Sequence, residues 1–179
     1  LNTTIDDQTA EIALLWSTAY DSKIMSFANT LYTVDGGTHE QGFRQALANT
    51  VNKYAFDFKH LKEGNPRLKG EDIMEGIVAV VSVKLADAQF ESQTKAKLGN
   101  SEIRTIVDNI VSEKLSEYYE ENPDVAKIII DKSCAASRAR EAARKARELA
   151  RRKGVLEGST LPGKLADCQD RRVEYTELF

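Results

Sequence analysis

The chain has 179 residues, 41% apolar and 30% charged, a balance typical of a globular protein with one hydrophobic core. No apolar run approaches the ~18 residues of a membrane-spanning helix, and the two cysteines and two histidines lack the spacing of a disulfide framework or a zinc site. The chain begins at Leu1 and shows no basic-then-apolar leader, so we expect a fragment of a cytoplasmic protein with no membrane partner.

The net charge of −3 is unevenly distributed along the chain. Between positions 138 and 153, eight basic residues stand against two acidic ones and give a charge of +6, so the remaining residues carry −9. A basic segment on an acidic protein suits a polyanionic partner such as nucleic acid.

Two strands are predicted near the start of the chain, after a polar stretch that we expect to be frayed. Apolar side chains alternate at Ile12, Leu14 and Trp16, which predicts a strand over residues 11–18. A second strand is predicted over residues 23–33. Because the break between them is short, we expect the two strands to pair in antiparallel orientation.

A helix is predicted over residues 39–58, because apolar side chains recur there every three or four residues. Thr38 follows a glycine-containing turn and is expected to cap this helix through its hydroxyl. Arg44 is expected on the exposed face, where it is either a solvated helix residue or a contact for a partner.

The most apolar stretch, residues 77–85, predicts a strand that is covered on both faces or lies at the centre of a sheet. A loop over residues 62–69 and a helical turn at 71–75 are expected before it. Together with the other elements, this predicts an α+β fold, in which a mixed sheet of about four strands has helices on one face.

A polar loop, residues 89–100, follows the apolar strand and is called here the Gln-Thr-Lys loop after Gln93, Thr94 and Lys95. Loops between rigid elements commonly carry binding and catalytic groups. The amide, the hydroxyl and the ammonium groups of Lys95 and Lys97 are donors that suit a phosphate. A solvated loop that merely carries lysines explains the same spacing.

Two helices are predicted after this loop. The first covers residues 101–121, and Asn122-Pro123 ends it and starts the next. The second runs over residues 123–153, about 45 Å at 1.5 Å per residue, with Gly154 as the expected C-cap.

The far half of this second helix carries arginines on one face, at spacings of four, three and four residues: Arg140, Arg144, Arg147 and Arg151. They are called here the arginine stripe. A solvated helix with local ion pairs explains some of them. The surplus positive charge favours DNA phosphates lying alongside.

Several longer sequence motifs resemble those of a known protein family. They are FESQTKAKLGNSE at 90–102, DGGTHEQGFR at 35–44, GEDI at 70–73, AREAARKAR at 139–147 and LPGKLADCQ at 161–169. In this order they resemble motifs of the B-type subunits of bacterial type IIA DNA topoisomerases, a family that includes the B-type subunits of DNA gyrase and of topoisomerase IV. Departures at Met74, at Ser92 and at Leu31-Tyr32 leave open which of the two enzymes is meant.

The resemblance implies a transducer domain over residues 1–160, with an unusual left-handed βαβ crossover and a long basic C-terminal helix. Residues 161–179 would be a linker tail toward a metal-binding cleavage (Toprim) domain, and an ATP-binding (GHKL) domain would lie upstream. Neither domain has a motif within these 179 residues. We therefore expect this chain alone neither to hydrolyse ATP nor to cut DNA.

The resemblance also implies the roles of particular residues. Lys95 would be catalytic and would contact the γ-phosphate of ATP together with Gln93, while ATP and Mg²⁺ would be held mainly by the upstream domain. Arg44 and the arginine stripe would face double-stranded DNA. The implied protein partners are an A-type topoisomerase subunit and a second copy of the B-type subunit.

Two functions of other classes remain open from the residues alone. A stand-alone nucleic-acid-binding module would use the arginine stripe and would not respond to ATP. A self-contained enzyme for small molecules is less well supported, because His39 and His60 have no evident nucleophile or metal partner.

Overall fold

The computed structural model describes residues 2–5, 8–61, 64 and 66–157, with side chains for 9–61, 64 and 66–151. The strands of this part are β1 (Asn2–Ile5), β2 (Gln8–Trp16), β3 (Lys23–Ala28), β4 (Leu31–Tyr32) and β5 (Ile77–Lys84). The helices are α1 (Thr38–Asp57), α2 (Gly70–Ile73), α3 (Ser101–Glu121) and α4 (Pro123–Glu157). Contacts divide the chain within α4, into a unit that ends at Ala139 and a second that begins at Arg140.

The five strands form one mixed sheet in the order β1-β2-β5-β3-β4. β5 pairs in parallel with β3 and antiparallel with β2, so it is the central strand, as its apolar sequence predicts. Alternate residues Ile77, Ala79, Val81 and Val83 are buried, and the side chains between them are half-buried except for the exposed Lys84. The α+β fold is confirmed, while the handedness of the connection from β3 to β5 stays a prediction of the resemblance.

The predicted antiparallel pairing of the first two strands is wrong, because β5 lies between them. Ile12 of β2 and Ser26 of β3 both pair with Val81 of β5. A strand with apolar side chains on both faces buries the most apolar surface when it lies in the middle of a sheet. This long-range preference overrides the short connection between β2 and β3.

The predicted strand over residues 23–33 is a hairpin of β3 and β4. Asn29 and Thr30 turn the chain with φ values of 45° and 68°, the left-handed region used by two-residue hairpin loops. The Asn29 side chain accepts a hydrogen bond from the N–H of Leu85 and donates one to its carbonyl, both at 2.8 Å. The polar N-terminus, expected to be frayed, contributes β1, which pairs with β2.

Helices α1 and α3 lie side by side and run in the same direction. A methyl group at Gly42 would lie 2.3 Å from the carbonyl oxygen of Arg104, and the Tyr54 hydroxyl donates to the carbonyl of Tyr119 at 3.1 Å. Their apolar side chains join those of β5 in one core, which includes Phe43, Leu47, Val51, Val107 and Leu115.

The helix boundaries are confirmed at Ser101, Glu121 and Pro123. Gly154 does not end α4, because a glycine costs a helix only about 1 kcal/mol and the helical sequence continues to Glu157. The predicted linker and tail, with the boundary at 160, lie outside the described residues. No helix in the part of the chain that the structure describes is both long and apolar enough to cross a membrane.

Candidate functional site: the Gln-Thr-Lys loop

The Gln-Thr-Lys loop is a small hairpin on the connection between β5 and α3. Its two legs are joined by hydrogen bonds from the N–H of Gly99 to the carbonyl of Gln89 at 2.8 Å and from the N–H of Glu91 to that of Lys97 at 3.0 Å. The N–H of Lys95 donates to the carbonyl of Ser92 at 3.0 Å and closes a four-residue tip over 92–95. The four side chains of the tip are exposed.

The two lysines of the loop differ in their partners. The Lys97 ammonium lies 3.0 Å from the Glu91 carboxylate. Within the described residues, neither the Lys95 ammonium nor the Gln93 amide has a hydrogen-bond or ion-pair partner. The Thr94 hydroxyl is used within the tip, 2.6 Å from that of Ser92. The tip therefore presents one unpaired positive charge and one neutral donor.

The base of the loop is held by Asn100, which is only 4% exposed. Its amide oxygen accepts from the N–H of Gln89 at 2.7 Å, and its amide nitrogen donates to the carbonyl of Asp87 and to the carboxylate of Glu102, both at 3.0 Å. The bond to Glu102 holds the pKa of that carboxyl below its ordinary value. Sequence reasoning missed Asn100, although an asparagine just before a helix is a recognisable capping signal.

The flank of the loop is bonded to the turn before α1. The N–H of Asp35 donates to the carbonyl of Ala96 at 2.9 Å, and that of Leu98 to the carbonyl of Gly36 at 3.1 Å. The N–H of Thr38 donates in turn to the carbonyl of Leu98 at 3.1 Å. Gly37, with φ 143° and ψ −166°, is the N-cap of α1.

Thr38 is therefore not the N-cap that the sequence predicts, but the first helical residue. Its N–H bonds to the loop, and its hydroxyl is buried without a partner among the described residues. The helix begins one residue earlier than expected because Gly37 adopts a conformation essentially restricted to glycine and leaves Thr38 free to join the helix.

Arg44 lies on α1 and is half-exposed, but its charge is already paired. Its guanidinium contacts the Glu40 carboxylate at 2.7 and 2.8 Å and reaches the sulfur of Met74 at 3.1 Å. Glu40 also accepts from the Ser26 hydroxyl at 3.1 Å. A contact between Arg44 and DNA stays a prediction, and it would have to share the guanidinium with Glu40.

His39 is fully buried beside this group. Its Nε2 lies 3.2 Å from the Thr33 hydroxyl, and Nδ1 has no partner among the described residues. Burial lowers the pKa of His39 to about 4, against a smaller opposing influence of Glu40. The imidazole is therefore neutral near pH 7 and is a core side chain rather than a surface acid or base.

The arginine stripe belongs to the second unit, whereas the loop belongs to the first. Arg144, Arg147 and Arg151 are exposed, and Arg140 is half-buried. An Arg144 guanidinium nitrogen lies 3.9 Å from the Glu148 carboxylate, a loose pair between exposed groups. The stripe is thus accessible to a large polyanion.

Neither of two surface grooves is lined by the loop tip. A polar groove of about 680 Å³ lies between α1 and α3 and includes Asn49 and Glu113. A more apolar groove of about 580 Å³ lies beside β2 and includes Leu15 and Ile128. Among the described residues, no group of three or more His, Cys, Asp or Glu side chains could hold a metal ion. The tip donors are presented at the open surface.

Comparison with known proteins gives a consistent result. The family model described as DNA gyrase B matches residues 2–149. The chain is 57% identical over 169 residues to the DNA gyrase B protein of Clostridium acetobutylicum, covering 94% of this chain and 26% of that protein. It is 51% identical over 174 residues to the DNA gyrase B protein of Staphylococcus epidermidis, covering 97% and 27%. The chain therefore spans about a quarter of the length of these relatives.

Two solved structures contain a region of the same fold. The 43K ATPase domain of Thermus thermophilus gyrase B, in complex with an aminocoumarin, matches with a TM-score of 0.76 and 43% identity over 83% of this chain and 40% of that one. The topoisomerase IV ATP-binding domain of Francisella tularensis, with a small-molecule inhibitor, matches with a TM-score of 0.70 and 25% identity, over 78% and 38%. Both of these structures are of the ATPase or ATP-binding region, of which this chain covers about two fifths.

Proposed function

The chain belongs to the DNA gyrase B family, and on this premise we propose that it is the transducer domain of a B-type protein of the type IIA topoisomerases. In this role the Gln-Thr-Lys loop reaches the γ-phosphate of an ATP molecule held by another part of the complete protein. The observation that carries the proposal is the unpaired Lys95 ammonium on an exposed tip whose base is fixed by hydrogen bonds.

The donor set of the tip fits phosphate oxygens. An ammonium is a compact charge, and a neutral amide beside it adds a hydrogen bond without changing the net charge. Negative charge on the phosphoryl oxygens must be stabilised during transfer, and a donor fixed beforehand stabilises it without reorganisation. Lys95 would supply that charge and Gln93 a weaker contact, while ATP and Mg²⁺ would be bound mainly outside this chain.

Sharing one phosphate between two regions gives a means of coupling. While the phosphate is present, it fixes the relative position of the loop and the nucleotide site, and its loss releases them. Such a ligand-dependent pair of states is what a switch requires. The loop is bonded to the turn that starts α1, so a displacement of the tip would be carried into a 20-residue helix.

The DNA side of the coupling is assigned to the arginine stripe, with Arg44 as a further contact. Exposed arginines on one helix face suit phosphates without base reading. The complete enzyme would use ATP hydrolysis for DNA strand passage, with an A-type subunit, a second B-type subunit and DNA as partners in the cytoplasm. We propose gyrase rather than topoisomerase IV, because the relatives at 50–57% identity are gyrase B proteins.

The test uses the complete B-type subunit with its A-type partner and compares Lys95→Ala with Lys97→Ala. Lys95→Ala should keep nucleotide binding and lower ATP turnover by about 10²- to 10³-fold, as for removal of one preorganised donor at a developing oxyanion. Gln93→Ala should lower turnover less, because the amide is neutral. Lys97→Ala is the matched control, since its ammonium is paired with Glu91.

DNA cleavage without ATP should persist in all three variants. Turnover of Lys95→Ala within about threefold of wild type, ~0.65 kcal/mol in activation free energy, would contradict a catalytic role for the loop. The isolated chain with ATP and Mg²⁺ should show no turnover above a buffer blank, and sustained hydrolysis by it would contradict the assignment of the nucleotide site to another region.

A further inference from the structure

We propose that Asn100 and Gly37 are positioning residues for the phosphate-contacting tip, which set the place of the Lys95 ammonium without touching the nucleotide. This inference rests on the proposed function of the loop. It concerns the two points at which the loop is attached to the rest of the protein, its base and its flank.

The hairpin of the loop is too short to fix its own position. Its legs share two backbone hydrogen bonds, and an isolated two-stranded hairpin is at best marginally stable in water. The tip side chains are exposed, so no packing against the core orients them. The position of Lys95 must therefore be determined by what holds the legs.

Asn100 holds the base. Asn100 is the last residue of the loop, and its side chain bonds to the backbone of Asp87 and Gln89, which precede the tip. Because this amide is 4% exposed, its removal leaves a backbone donor and a backbone acceptor without their partner in a poorly hydrated place. A third bond, to Glu102 on the first turn of α3, fixes the amide plane relative to that helix.

Gly37 holds the flank by letting two backbone segments touch. A methyl group at this position would lie 2.5 Å from the carbonyl oxygen and 2.6 Å from the nitrogen of Leu98. The Leu98 side chain is fully buried, so its backbone cannot move away freely. Any other residue at 37 would push the leg that carries Lys95, in addition to straining a φ of 143°.

Displacement at either point should affect chemistry more than binding. A misplacement of about 1 Å of a catalytic group can cost up to 10²-fold in rate. Nucleotide affinity should change little, because the proposed binding groups lie mostly outside the chain. A split between kcat and KM therefore separates a positioning role from general damage.

The experiment measures steady-state ATP hydrolysis and equilibrium nucleotide binding by the complete B-type protein with its A-type partner. Asn100→Ala and Gly37→Ala should lower kcat by about 10- to 10²-fold, with nucleotide affinity within about threefold of wild type. Asn100→Asp keeps the acceptor for Gln89, but it places an oxygen against the Asp87 carbonyl and the Glu102 carboxylate, so its kcat should fall at least as far as that of Asn100→Ala. The Asn100 variants keep the test decisive where Gly37→Ala fails to fold.

Gly64→Ala is the matched glycine control. Gly64 also has a positive φ, of 97°, but a methyl group there meets no atom of the described residues within 4 Å, so its kcat should stay at the wild-type value. Each anchor variant is also combined with Lys95→Ala. If the anchors act through Lys95, they should lower kcat no further in that background.

Three results would overturn the inference. Wild-type kcat in both Asn100→Ala and Asn100→Asp, alongside a large loss in Lys95→Ala, would remove the positioning role and leave the proposed function standing. Equal fold losses with and without Lys95 would mean that the anchors act on stability or binding instead. Wild-type turnover of Lys95→Ala alone would remove the proposed function and this inference with it.

Discussion

Two positively charged regions of this protein are built in opposite ways. The tip of the Gln-Thr-Lys loop carries one unpaired ammonium, and hydrogen bonds to Asn100 and to the turn before α1 hold its legs. The arginine stripe carries four guanidinium groups on a helix whose far half is mostly exposed, where the ion pair between Arg144 and Glu148 is loose. The loop thus presents one unpaired charge at its tip and is held by several hydrogen bonds. The stripe has four charges and lies on the largely exposed half of a helix.

Under the proposed function, the difference corresponds to two uses of positive charge. A donor that stabilises a reacting oxygen must already be in place, because reorganisation would consume the stabilisation it gives. Charges that attract a polyanion through counterion release need proximity but no exact geometry. The number of basic residues alone would make the arginine stripe the stronger functional candidate. The hydrogen bonds that hold the loop make the loop the stronger candidate for catalysis.

The largest expected effect separates the two regions by local stability. Backbone N–H groups at the loop anchors, those of Thr38, Leu98 and Gly99, should exchange with solvent at least about 10³-fold more slowly than those of residues 145–151, because opening free energies follow local packing and bonding. Hydrogen–deuterium exchange on the complete B-type protein, followed by mass spectrometry, measures this ratio. Comparable exchange rates in the two regions would contradict the claim that the loop is held more firmly than the stripe.

A smaller effect, on the order of 10²-fold in the folding equilibrium, concerns pH. The pKa of His39 is about 4 in the fold and 6.5 as the ordinary value, so the unfolded chain binds a proton first as pH falls. The free energy of unfolding should decrease between pH 6.5 and 4, by at most about 3 kcal/mol, with no further His39 contribution below pH 4. Above pH 6.5 the His39 contribution is fully present.

Denaturant unfolding of wild type and His39→Gln across this pH range isolates the contribution, since the other titrating groups are common to both. His60→Gln serves as the control, because His60 is only half-buried. A pH profile of His39→Gln parallel to that of wild type would show that burial of the imidazole does not destabilise its charged form. This pH dependence of stability should arise in the first unit, which contains His39, because the arginine stripe contains no histidine.

The smallest expected effect is on DNA. Arg144→Glu with Arg147→Glu should remove two phosphate contacts, lower affinity for duplex DNA at low salt on the order of tenfold and reduce the salt dependence by about two phosphate equivalents. Retention on immobilised duplex and fluorescence titrations at several salt concentrations measure both quantities. Lys23→Glu with Lys53→Glu makes the same change of charge at exposed positions elsewhere and should bind nearly as wild type. Equal losses of DNA affinity in the two double variants would show that only the net charge of the protein matters, and not the position of the stripe.

Local sequence signals predicted what depends on neighbours along the chain. The bounds of α3 follow from its apolar period and from Pro123, and the central place of β5 follows from its apolar composition. The exposed tip with Lys95 also lies where a polar loop between a strand and a helix is expected.

What sequence reasoning missed depends on distant partners. The order of the sheet requires β5 to insert between two strands that are close in sequence. The hairpin at Asn29 depends on bonds to Leu85, and the start of α1 at Thr38 depends on the backbone of Leu98. Asn100 looks like an ordinary cap until its bonds to Asp87 and Gln89 are seen, so its anchoring role cannot be read from neighbours in sequence.

The central position of β5 has a consequence for the newly made chain. On the ribosome, the β1–β2 and β3–β4 pairs emerge before β5, which in the described sheet covers one edge of β2 and one edge of β3. About 60 residues separate Trp16 from Ile77, so at 5–20 residues per second the open edge of β2 waits roughly 3–12 s for its partner. During that interval the nascent chain exposes strand edges that can pair with other chains. A chain whose synthesis stops before residue 77 would carry both strand pairs without β5, the strand that lies between them in the described sheet.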